Sequence, residues 1–415
     1  FGSSHVGSRR NPFQLNEFLS TSQHFPKMAR HHQRVNRIAA HLSPNSISSA
    51  VYRHALPKDG GVIVAVTGAA GYIGSWLVVK LLQRGHTVRA CVRDVNNASK
   101  VGFLKAMPEF GSRLTLHAAD MTRPGAYDEI FNGVHTVFHP AEVFMSFAHG
   151  RDVGQASKDF GDRVSSRALN DHALRSSQYL VDSINKSPSV KRLVYTASIA
   201  SVLPTGRTNF IERPFLDETR EPGAEQAGKH SYAITKRTTE HLLAYQASVS
   251  NGSWSVVTVN PSDVVGPVLS PHQASETWQG KIAGIVQGIP APQEPGGRPW
   301  MLVDVRDVAE AQIRLAESTD VQSGERFIAT SGDKILPEDI GPRIMELFPG
   351  YDCATTLAPG PSGKVVRNEP WWIRVHLSNG KVAGATGLKF HTFDETLHAT
   401  VEALVQVGAV QPKKR

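Results

Sequence analysis

The chain has 415 residues, enough for a large α/β enzyme of one or two lobes. Hydrophobic residues make up 40% of it and charged residues 20%, which excludes a disordered, collagenous or membrane-embedded protein. Every apolar stretch is shorter than the roughly 20 residues that a membrane span requires. The two cysteines, Cys91 and Cys353, match no metal-ligand spacing and indicate a reducing, intracellular compartment.

The net charge of +8 is concentrated at one end of the chain. Residues 1–58 hold eight Lys and Arg side chains against one acid, Glu17, whereas the rest of the chain holds 37 basic and 36 acidic side chains. A nucleic-acid-binding domain would carry a basic face of its own. The nearly neutral remainder therefore excludes a nucleic-acid partner for the body of the protein.

The basic N-terminal extension, residues 1–60, has the composition of a targeting segment. It is rich in Arg and Ser and poor in acids, and Val35, Ile38 and Leu42 fall on one face of a helix. Two interpretations stay open: an organelle-targeting transit peptide, or a segment without a targeting role, which is either a disordered tail or the product of an over-extended gene model that begins at Phe1. The first predicts a mitochondrial or plastid protein, and the second predicts a cytoplasmic one.

A strand, loop, helix and second strand follow the extension. The β-branched run Val62–Val66 predicts a buried strand. Residues 75–84 have helical periodicity and end before Gly85, and residues 86–92 predict the next strand. A unit of this kind is the first half of a nucleotide-binding fold. The sequence thus predicts an α/β protein with a doubly wound, Rossmann-type parallel sheet.

The loop of this unit carries three glycines at the spacing of a dinucleotide fingerprint. Gly68 permits the tight turn, Gly71 lets the backbone approach a pyrophosphate, and Gly74 allows helix and strand to pack closely. The first helical amides, at Tyr72 and Ile73, offer N–H groups and a positive dipole end to the phosphates. We predict a dinucleotide site here; a flexible loop is the alternative.

The end of the second strand holds the residue that distinguishes NAD from NADP. A carboxylate there accepts the 2′-OH of NAD, whereas a cation pairs with the 2′-phosphate of NADP. Arg93 stands 19 residues after Gly74 and predicts NADP(H). In the alternative, Arg93 is a solvated side chain and Asp94 contacts the ribose.

Further apolar segments predict more strands, at 113–117, 136–139, 193–196 and 255–259. Each is followed by polar or small residues, as at the carboxyl edge of a parallel sheet where ligands bind. Asp120, after the first of these strands, is predicted to lie near the adenine. In the alternative, Asp120 is the N-cap of a helix after Pro124.

Two segments carry residues suited to proton transfer. Tyr232 and Lys236 lie at i and i+4 of a predicted helix, 34 residues or more beyond Ser198, which follows a strand. An ammonium near a phenol favours the phenolate, and such a phenol can exchange a proton near neutral pH. The pattern YxxxK is weak by itself, but its place after the glycine loop and the serine favours a catalytic role.

These residues resemble the extended short-chain dehydrogenases/reductases of the NAD-dependent epimerase/dehydratase superfamily. Within them, the chain is similar to the group of dihydroflavonol 4-reductase and cinnamoyl-CoA reductase. The resemblance runs from about Val62 to Val410. The segments that carry it are 67–76, 88–94, 137–139, 191–198, 232–236, 260–267 and 304–309, followed by 324–327, 348–351, 378–381 and 393–397.

The resemblance implies an NADPH-dependent reductase of an aldehyde or ketone. In the family the Tyr is the general acid/base, the Lys binds the nicotinamide ribose and the Ser hydrogen-bonds the substrate oxygen, which implies these roles for Tyr232, Lys236 and Ser198. Pro261 is expected near the nicotinamide carboxamide. The alternatives are a 3β-hydroxysteroid/sterol dehydrogenase or sugar-nucleotide epimerase with the same three residues, and an NADP-sensing binding protein without turnover.

Two departures from the family pattern leave the substrate unspecified. Leu203 stands five residues past Ser198, where many plant flavonoid reductases have an Asn or Asp that contacts the substrate ring. Residues 228–231 read Gly-Lys-His-Ser, where cinnamoyl-CoA reductases have Asn-Trp-Tyr-Cys. Neither a flavonoid nor a cinnamoyl thioester is therefore indicated.

The predicted organisation has a basic extension, a cofactor domain and a smaller substrate-binding lobe. The extension covers 1–60, the NADP-binding Rossmann domain covers 61–262 with 300–330 returning to it, and the lobe covers 263–299 and 331–415. The 18 histidines have no metal-ligand spacing, so we expect no metal. The expected partner is a small-molecule carbonyl or alcohol substrate, bound by a monomer or homodimer without a membrane span.

Overall fold

A parallel sheet of seven strands forms the centre of the molecule. The computed structural model describes residues 54–142, 166–203, 214–220, 231–275, 277–293, 298–359 and 374–415, and these belong to one compact unit. The strands in those ranges are β1 (Ile63–Thr67), β2 (Thr87–Val92), β3 (Leu114–Ala118), β4 (Val134–His139), β5 (Arg192–Thr196), β6 (Phe215–Leu216), β7 (Ser255–Pro261), β8 (Asp263–Val265), β9 (Trp300–Asp304), β10 (Glu325–Ala329), β11 (Lys334–Ile335) and β12 (His376–Leu377).

Helices connect these strands and cover the sheet. The α-helices in the described ranges are α1 (Tyr72–Gln83), α2 (Ala98–Lys105), α3 (Ser166–Lys186), α4 (Ser231–Val249), α5 (Thr277–Val286), α6 (Val305–Glu317), α7 (Pro337–Leu347), α8 (Gly380–Thr386) and α9 (Phe393–Gln406). Among the helices of those ranges, none has both the length and the apolar character that crossing a membrane would take.

The strand order of the main sheet reverses at its centre. The order is β10-β7-β5-β4-β1-β2-β3, with every neighbouring pair parallel. From β1 the chain therefore runs outward to β2 and β3 on one side, and later to β4, β5, β7 and β10 on the other. The predicted doubly wound α/β fold is confirmed. Ligands of such sheets bind at the carboxyl ends of the strands that flank the reversal, here Thr67 of β1 and His139 of β4.

The glycine that follows α1 closes the helix as the sequence predicts. Gly85 has a φ of +84°, a left-handed conformation that glycine adopts without steric cost. Its N–H donates to the carbonyl of Leu82 at 2.9 Å, and the N–H of His86 donates to that of Leu81 at 3.1 Å. This pair of hydrogen bonds satisfies the last helical carbonyls and turns the chain into β2.

Alternation along the strands gives the sheet two buried faces. In β1, Val64 and Val66 pack with α1, α2 and α6 on one face, whereas Ala65 packs with α3 and α4 on the other. Burial of each such aliphatic side chain contributes roughly 1.5–3 kcal/mol. Both faces of the sheet are therefore covered by helices, and its carboxyl edge stays open to the loops.

A third apolar cluster lies outside the main sheet. It joins α5, α7 and α9 to a small sheet with the strand order β11-β9-β8. Within the segment 300–330, which we expect to return to the cofactor domain, β10 lies in the seven-stranded sheet and β9 lies in this small sheet. The division of the chain into two lobes remains a prediction.

Two sequence-based expectations fall where the chain is not described. The basic extension lies outside the described residues up to residue 53. Residues 228–230, where the chain departs from the cinnamoyl-CoA reductase pattern, also lie outside them.

Candidate active site

The glycine loop has the geometry of a phosphate cradle. Gly68 has a φ of +60°, and a Cβ on it would meet the Cα of Ala141 at 3.1 Å. A Cβ on Gly74 would overlap the carbonyl oxygen of Gly68. Gly71 is the exposed N-cap of α1, so its backbone faces solvent. Side chains at 68 and 74 would thus disrupt the loop, as the fingerprint predicts.

Tyr72 binds the segment after β8 through its side chain, while its amide lies at the N-terminus of α1. The first amides of a helix lack intrahelical acceptors, so the N–H groups of Tyr72 and Ile73 are suited to an anionic ligand. The Tyr72 hydroxyl donates to the carbonyl of Gly266 at 2.7 Å. Trp76, one turn later, donates its indole N–H to the carbonyl of Pro267 at 2.8 Å.

Arg93 and Asp94 differ in how their side chains are used at the end of β2. The Asp94 carboxylate accepts the N–H of Asn96 at 2.8 Å, closing its own turn. Arg93 is exposed and lies near enough to Asp120 to interact electrostatically with it. This arrangement favours Arg93 over Asp94 as the group that meets a 2′-substituent.

Asp120 closes a local turn beyond β3. Its carboxylate accepts the N–H of Thr122 at 3.0 Å and the Thr122 hydroxyl at 2.7 Å. Burial raises the pKa of Asp120, but the two bonds to Thr122 and the charges of Arg93 and Arg123 lower it by more than burial raises it. The pKa of Asp120 therefore lies below its ordinary value. The alternative that Asp120 caps a helix after Pro124 is wrong, because residues 121–133 form turns.

Helix α4 brings Tyr232 and Lys236 together at the carboxyl edge of the sheet. The Lys236 ammonium lies 5.8 Å from the centroid of the Tyr232 ring. It donates to the carbonyl of Thr196, at the end of β5, at 3.0 Å. It also forms an ion pair with Glu142, just beyond β4. Glu142 beyond β4, Thr196 at the end of β5 and Tyr232 of α4 therefore surround one ammonium group.

The electrostatic environment keeps Lys236 protonated. Burial lowers the pKa of Lys236, but Glu142 raises it through its charge and its hydrogen bond, and the pKa lies above the ordinary value for lysine. A carboxylate beside a buried ammonium favours the charged form in this way. Lys236 is thus a fixed positive charge in the site at neutral pH.

Ser198 lies two residues beyond the carbonyl that holds Lys236. Its Oγ accepts the N–H of Ala200 at 3.1 Å as the N-cap of a short 3₁₀ helix, Ile199–Ser201. Its carbonyl accepts the Ser201 hydroxyl at 2.7 Å and the Asn260 side-chain amide at 3.2 Å. These contacts fix the backbone at Ser198, while the bond to Ala200 leaves the Ser198 O–H proton as a donor.

A buried carboxylate one turn beyond Lys236 joins the elements around the site. Glu240 accepts Ser201 Oγ at 2.5 Å and Asn260 Nδ2 at 2.7 Å. It also pairs with Arg237 at 2.7 Å and with Arg326 at 2.8 Å. Sequence reasoning missed Glu240, although its i+8 spacing from the candidate tyrosine on one helix was a usable signal.

His139 and Tyr195 lie behind the site as neutral groups. His139 Nδ1 lies 2.7 Å from Thr67 Oγ1, and its ring stacks on that of Tyr195 at 6.1 Å. Burial, with a smaller effect of Lys236, lowers the pKa of His139 to about 3. Burial also raises the pKa of Tyr195. Neither group is therefore ionised at neutral pH, which argues against His139 as a charged acid.

The predicted site residues occupy two parts of the carboxyl edge. Tyr232 and Lys236 lie together, and Ser198 follows two residues beyond the carbonyl that Lys236 binds. Pro261 ends β7 in the sheet beside them. Arg93 and Asp120 lie at the ends of β2 and β3, on the other side of the glycine loop. Glu142 was also missed, because its partner Lys236 lies 94 positions further along the chain and no local pattern joins the two.

The comparisons with known proteins give the class of this protein. Residues 64–329, well over half of the chain, match the model of the NAD dependent epimerase/dehydratase family. The chain belongs to this family and, within it, to the extended short-chain dehydrogenases/reductases, and it is an NAD(P)-dependent oxidoreductase. The resemblance inferred from the motifs is confirmed.

Curated relatives and solved structures agree with this class. A cinnamoyl-CoA reductase of Medicago truncatula is 32% identical over 348 residues, covering 83% of this chain and 96% of the relative. A dihydroflavonol 4-reductase of Callistephus chinensis is 27% identical over 310 residues, covering 73% and 78%. A yeast methylglyoxal/isovaleraldehyde reductase complexed with NADPH has a TM-score of 0.64 at 20% identity, covering 84% of this chain and all of that one. Vestitone reductase from alfalfa has a TM-score of 0.62 at 21% identity, covering 84% and 99%.

Proposed function

We propose that this protein is an NADPH-dependent reductase of an aldehyde or ketone, with Tyr232 as the proton donor. The observation that carries the proposal is the placement of Tyr232 and Lys236 on one face of α4, with Lys236 bound to the strand end that leads to Ser198. The curated relatives named above are reductases, which supports reduction rather than epimerisation.

The cofactor would be held along the carboxyl edge of the sheet. The cradle at Gly68 and Gly71, with the amides of Tyr72 and Ile73, suits a pyrophosphate. Arg93 suits the 2′-phosphate of NADP, and a yeast reductase of this fold is complexed with NADPH. Among the other predicted contacts, Asp120 would lie near the adenine, Gly74 would hold the helix against the loop and Pro261 would pack near the nicotinamide carboxamide.

Ser198, Tyr232 and Lys236 would each have a separate role at the carbonyl oxygen or at the phenol that protonates it. When bound, NADPH would supply the hydride that the carbonyl carbon accepts. Ser198 donates a hydrogen bond to the carbonyl oxygen, and Tyr232 transfers its phenolic proton to that oxygen, so that the product is the alcohol. The phenolate left on Tyr232 is stabilised by the Lys236 ammonium and regains a proton from solvent.

Tyr232→Phe tests the proposal because it removes the proton donor and keeps the ring. Reduction should slow by about 10²–10⁴-fold, the usual contribution of general acid catalysis, while NADPH binding survives. NADPH oxidation is measured with a panel of aldehydes and ketones, and the carbonyl reduced fastest by the parent is used for the variants. Tyr245→Phe, on the same helix with its side chain 39% exposed, is the matched control. Parent-like turnover by Tyr232→Phe would refute the mechanism.

A further inference from the structure

Glu142 is a carboxylate in the site that the proposed reaction does not use. It follows β4, and its neighbour Ala141 packs against Gly68 of the cofactor loop. Its carboxylate forms an ion pair with Lys236. The Lys236 side chain is 5% exposed and that of Glu142 is 16% exposed. A carboxylate thus reaches inward from the strand end that flanks the reversal of the sheet.

The two acids near the site have different cationic partners. Glu240 is paired with Arg237 and Arg326. Among the described residues, Glu142 is the acid that forms an ion pair with Lys236. A buried ammonium without such a partner would be an uncompensated charge. Glu142 therefore offsets part of the positive charge at the position where the proposed function places the nicotinamide end of the cofactor.

The two oxidation states of a nicotinamide cofactor differ by one charge on the ring. The oxidised ring is a cation and the reduced ring is neutral, so a nearby ammonium destabilises the oxidised form selectively. A carboxylate paired with the ammonium reduces this penalty. We propose that Glu142 acts as a positioning and charge-compensating residue that raises the affinity of the site for NADP⁺ relative to NADPH. This inference rests on the proposed function and predicts that Glu142 makes hydride donation more favourable on the enzyme.

Substituting Glu142 separates charge from structure. Glu142→Gln keeps the size of the side chain and removes its charge, whereas Glu142→Asp keeps the charge on a shorter side chain. The dissociation constant of NADPH is measured by its fluorescence and that of NADP⁺ by displacement of NADPH. A unit charge acting over several ångströms at an effective dielectric of about 20 changes an equilibrium by at least roughly tenfold.

The quantity that tests the inference is the ratio of the two dissociation constants. In Glu142→Gln, binding of NADP⁺ should weaken relative to NADPH by about tenfold or more, and in Glu142→Asp the ratio should stay near that of the parent. Asp128→Asn is the control, because it removes a carboxylate that pairs with Lys186 at 2.7 Å on the surface. Its ratio should equal that of the parent protein.

Several outcomes would overturn the inference. A parent-like ratio in Glu142→Gln would show that the charge of Glu142 does not distinguish the two oxidation states. An equal loss of both affinities would assign Glu142 a purely structural role. A shift in Glu142→Asp as large as in Glu142→Gln would exclude charge as the cause. If the parent protein binds neither dinucleotide, the proposed function itself fails, which is distinguishable from a parent that binds both with an unchanged ratio.

Discussion

At the end of β2, two neighbouring side chains of opposite charge, Arg93 and Asp94, are candidates for contact with the 2′-substituent of the cofactor's adenosine ribose. Asp94 uses its carboxylate to accept the Asn96 amide at 2.8 Å, whereas Arg93 is exposed and lowers the pKa of Asp120. We therefore expect Arg93 to favour NADP(H) over NAD(H), because a guanidinium matches a phosphate in charge and geometry.

Arg93→Ala should abolish most of the preference for NADPH over NADH. A charge-assisted hydrogen bond contributes about 1.5–3 kcal/mol, which corresponds to a loss of roughly 10- to 150-fold in NADPH affinity with little change for NADH. Arg123→Ala is the control, because that side chain is 81% exposed and also faces Asp120. Titration of each protein with both dinucleotides measures the effect. Equal affinities in the parent protein would contradict the assignment.

At the scale of elements, a buried arginine joins a strand to the end of a helix. Arg192 begins β5 and is buried. Its Nη1 donates to the carbonyls of Leu315 at 3.1 Å, Ala316 at 3.0 Å and Ser318 at 3.0 Å, at the C-terminus of α6. A cation there complements the negative end of the helix dipole. Burial lowers the pKa of Arg192 to about 10, so it remains charged at neutral pH.

Arg192→Met should destabilise the fold because the carbonyls at the end of α6 lose their donor. Each buried polar group left unsatisfied costs about 1–3 kcal/mol, so we expect a loss of at least about 2 kcal/mol in the free energy of unfolding. Urea denaturation measures this loss. Lys191→Met, at the preceding position, should change the free energy by less than about 0.5 kcal/mol. Similar stabilities of the two variants would show that Arg192 does not support the helix.

At the scale of the whole molecule, the segment of the predicted substrate lobe around Gln273 is hydrogen-bonded to the glycine loop and the start of α1. Gln273 is fully buried. Its Nε2 donates to Ser75 Oγ at 3.0 Å and to the carbonyl of Ala70 at 3.3 Å, and its Oε1 accepts the N–H of Leu269 at 2.8 Å. Residues more than 190 positions apart in the chain are thereby fixed to each other.

Gln273→Leu should weaken both the fold and the cofactor site. The variant leaves buried polar groups unpaired on both segments, at a cost of about 1–3 kcal/mol, and it frees the loop that would hold the pyrophosphate. We expect a lower urea midpoint and a weaker NADPH affinity. Gln287→Leu, at an exposed position after α5, should leave both measurements unchanged. If Gln273→Leu binds NADPH like the parent, the segment does not support the loop.

Features of the fold that depend on local interactions were predictable from the sequence, and those that depend on their surroundings were not. Strands β1 and β2, α1 and its glycine C-cap were predictable because periodicity and backbone conformation are local properties. The alternative interpretation of Asp120, as the N-cap of a helix after Pro124, was wrong, because Asp120 bonds to Thr122 and closes a turn instead. Short polar side chains offer the backbone such an alternative to a helix, and the choice between them depends on the surroundings.

The sequence by itself determined the doubly wound fold, the family and the pairing of Tyr232 with Lys236, because a βαβ unit, a glycine fingerprint and an i, i+4 spacing are all written in short segments. Only the tertiary structure decided that Glu142 forms an ion pair with Lys236 and that Glu240 accepts hydrogen bonds from Ser201 and Asn260. These partners lie on separate strands, loops and helices. Their contacts arise because the carboxyl ends of the parallel strands lie side by side in the folded sheet. In that buried, low-dielectric environment an unpaired charge is costly, so each charged group is stabilised by a partner of opposite charge.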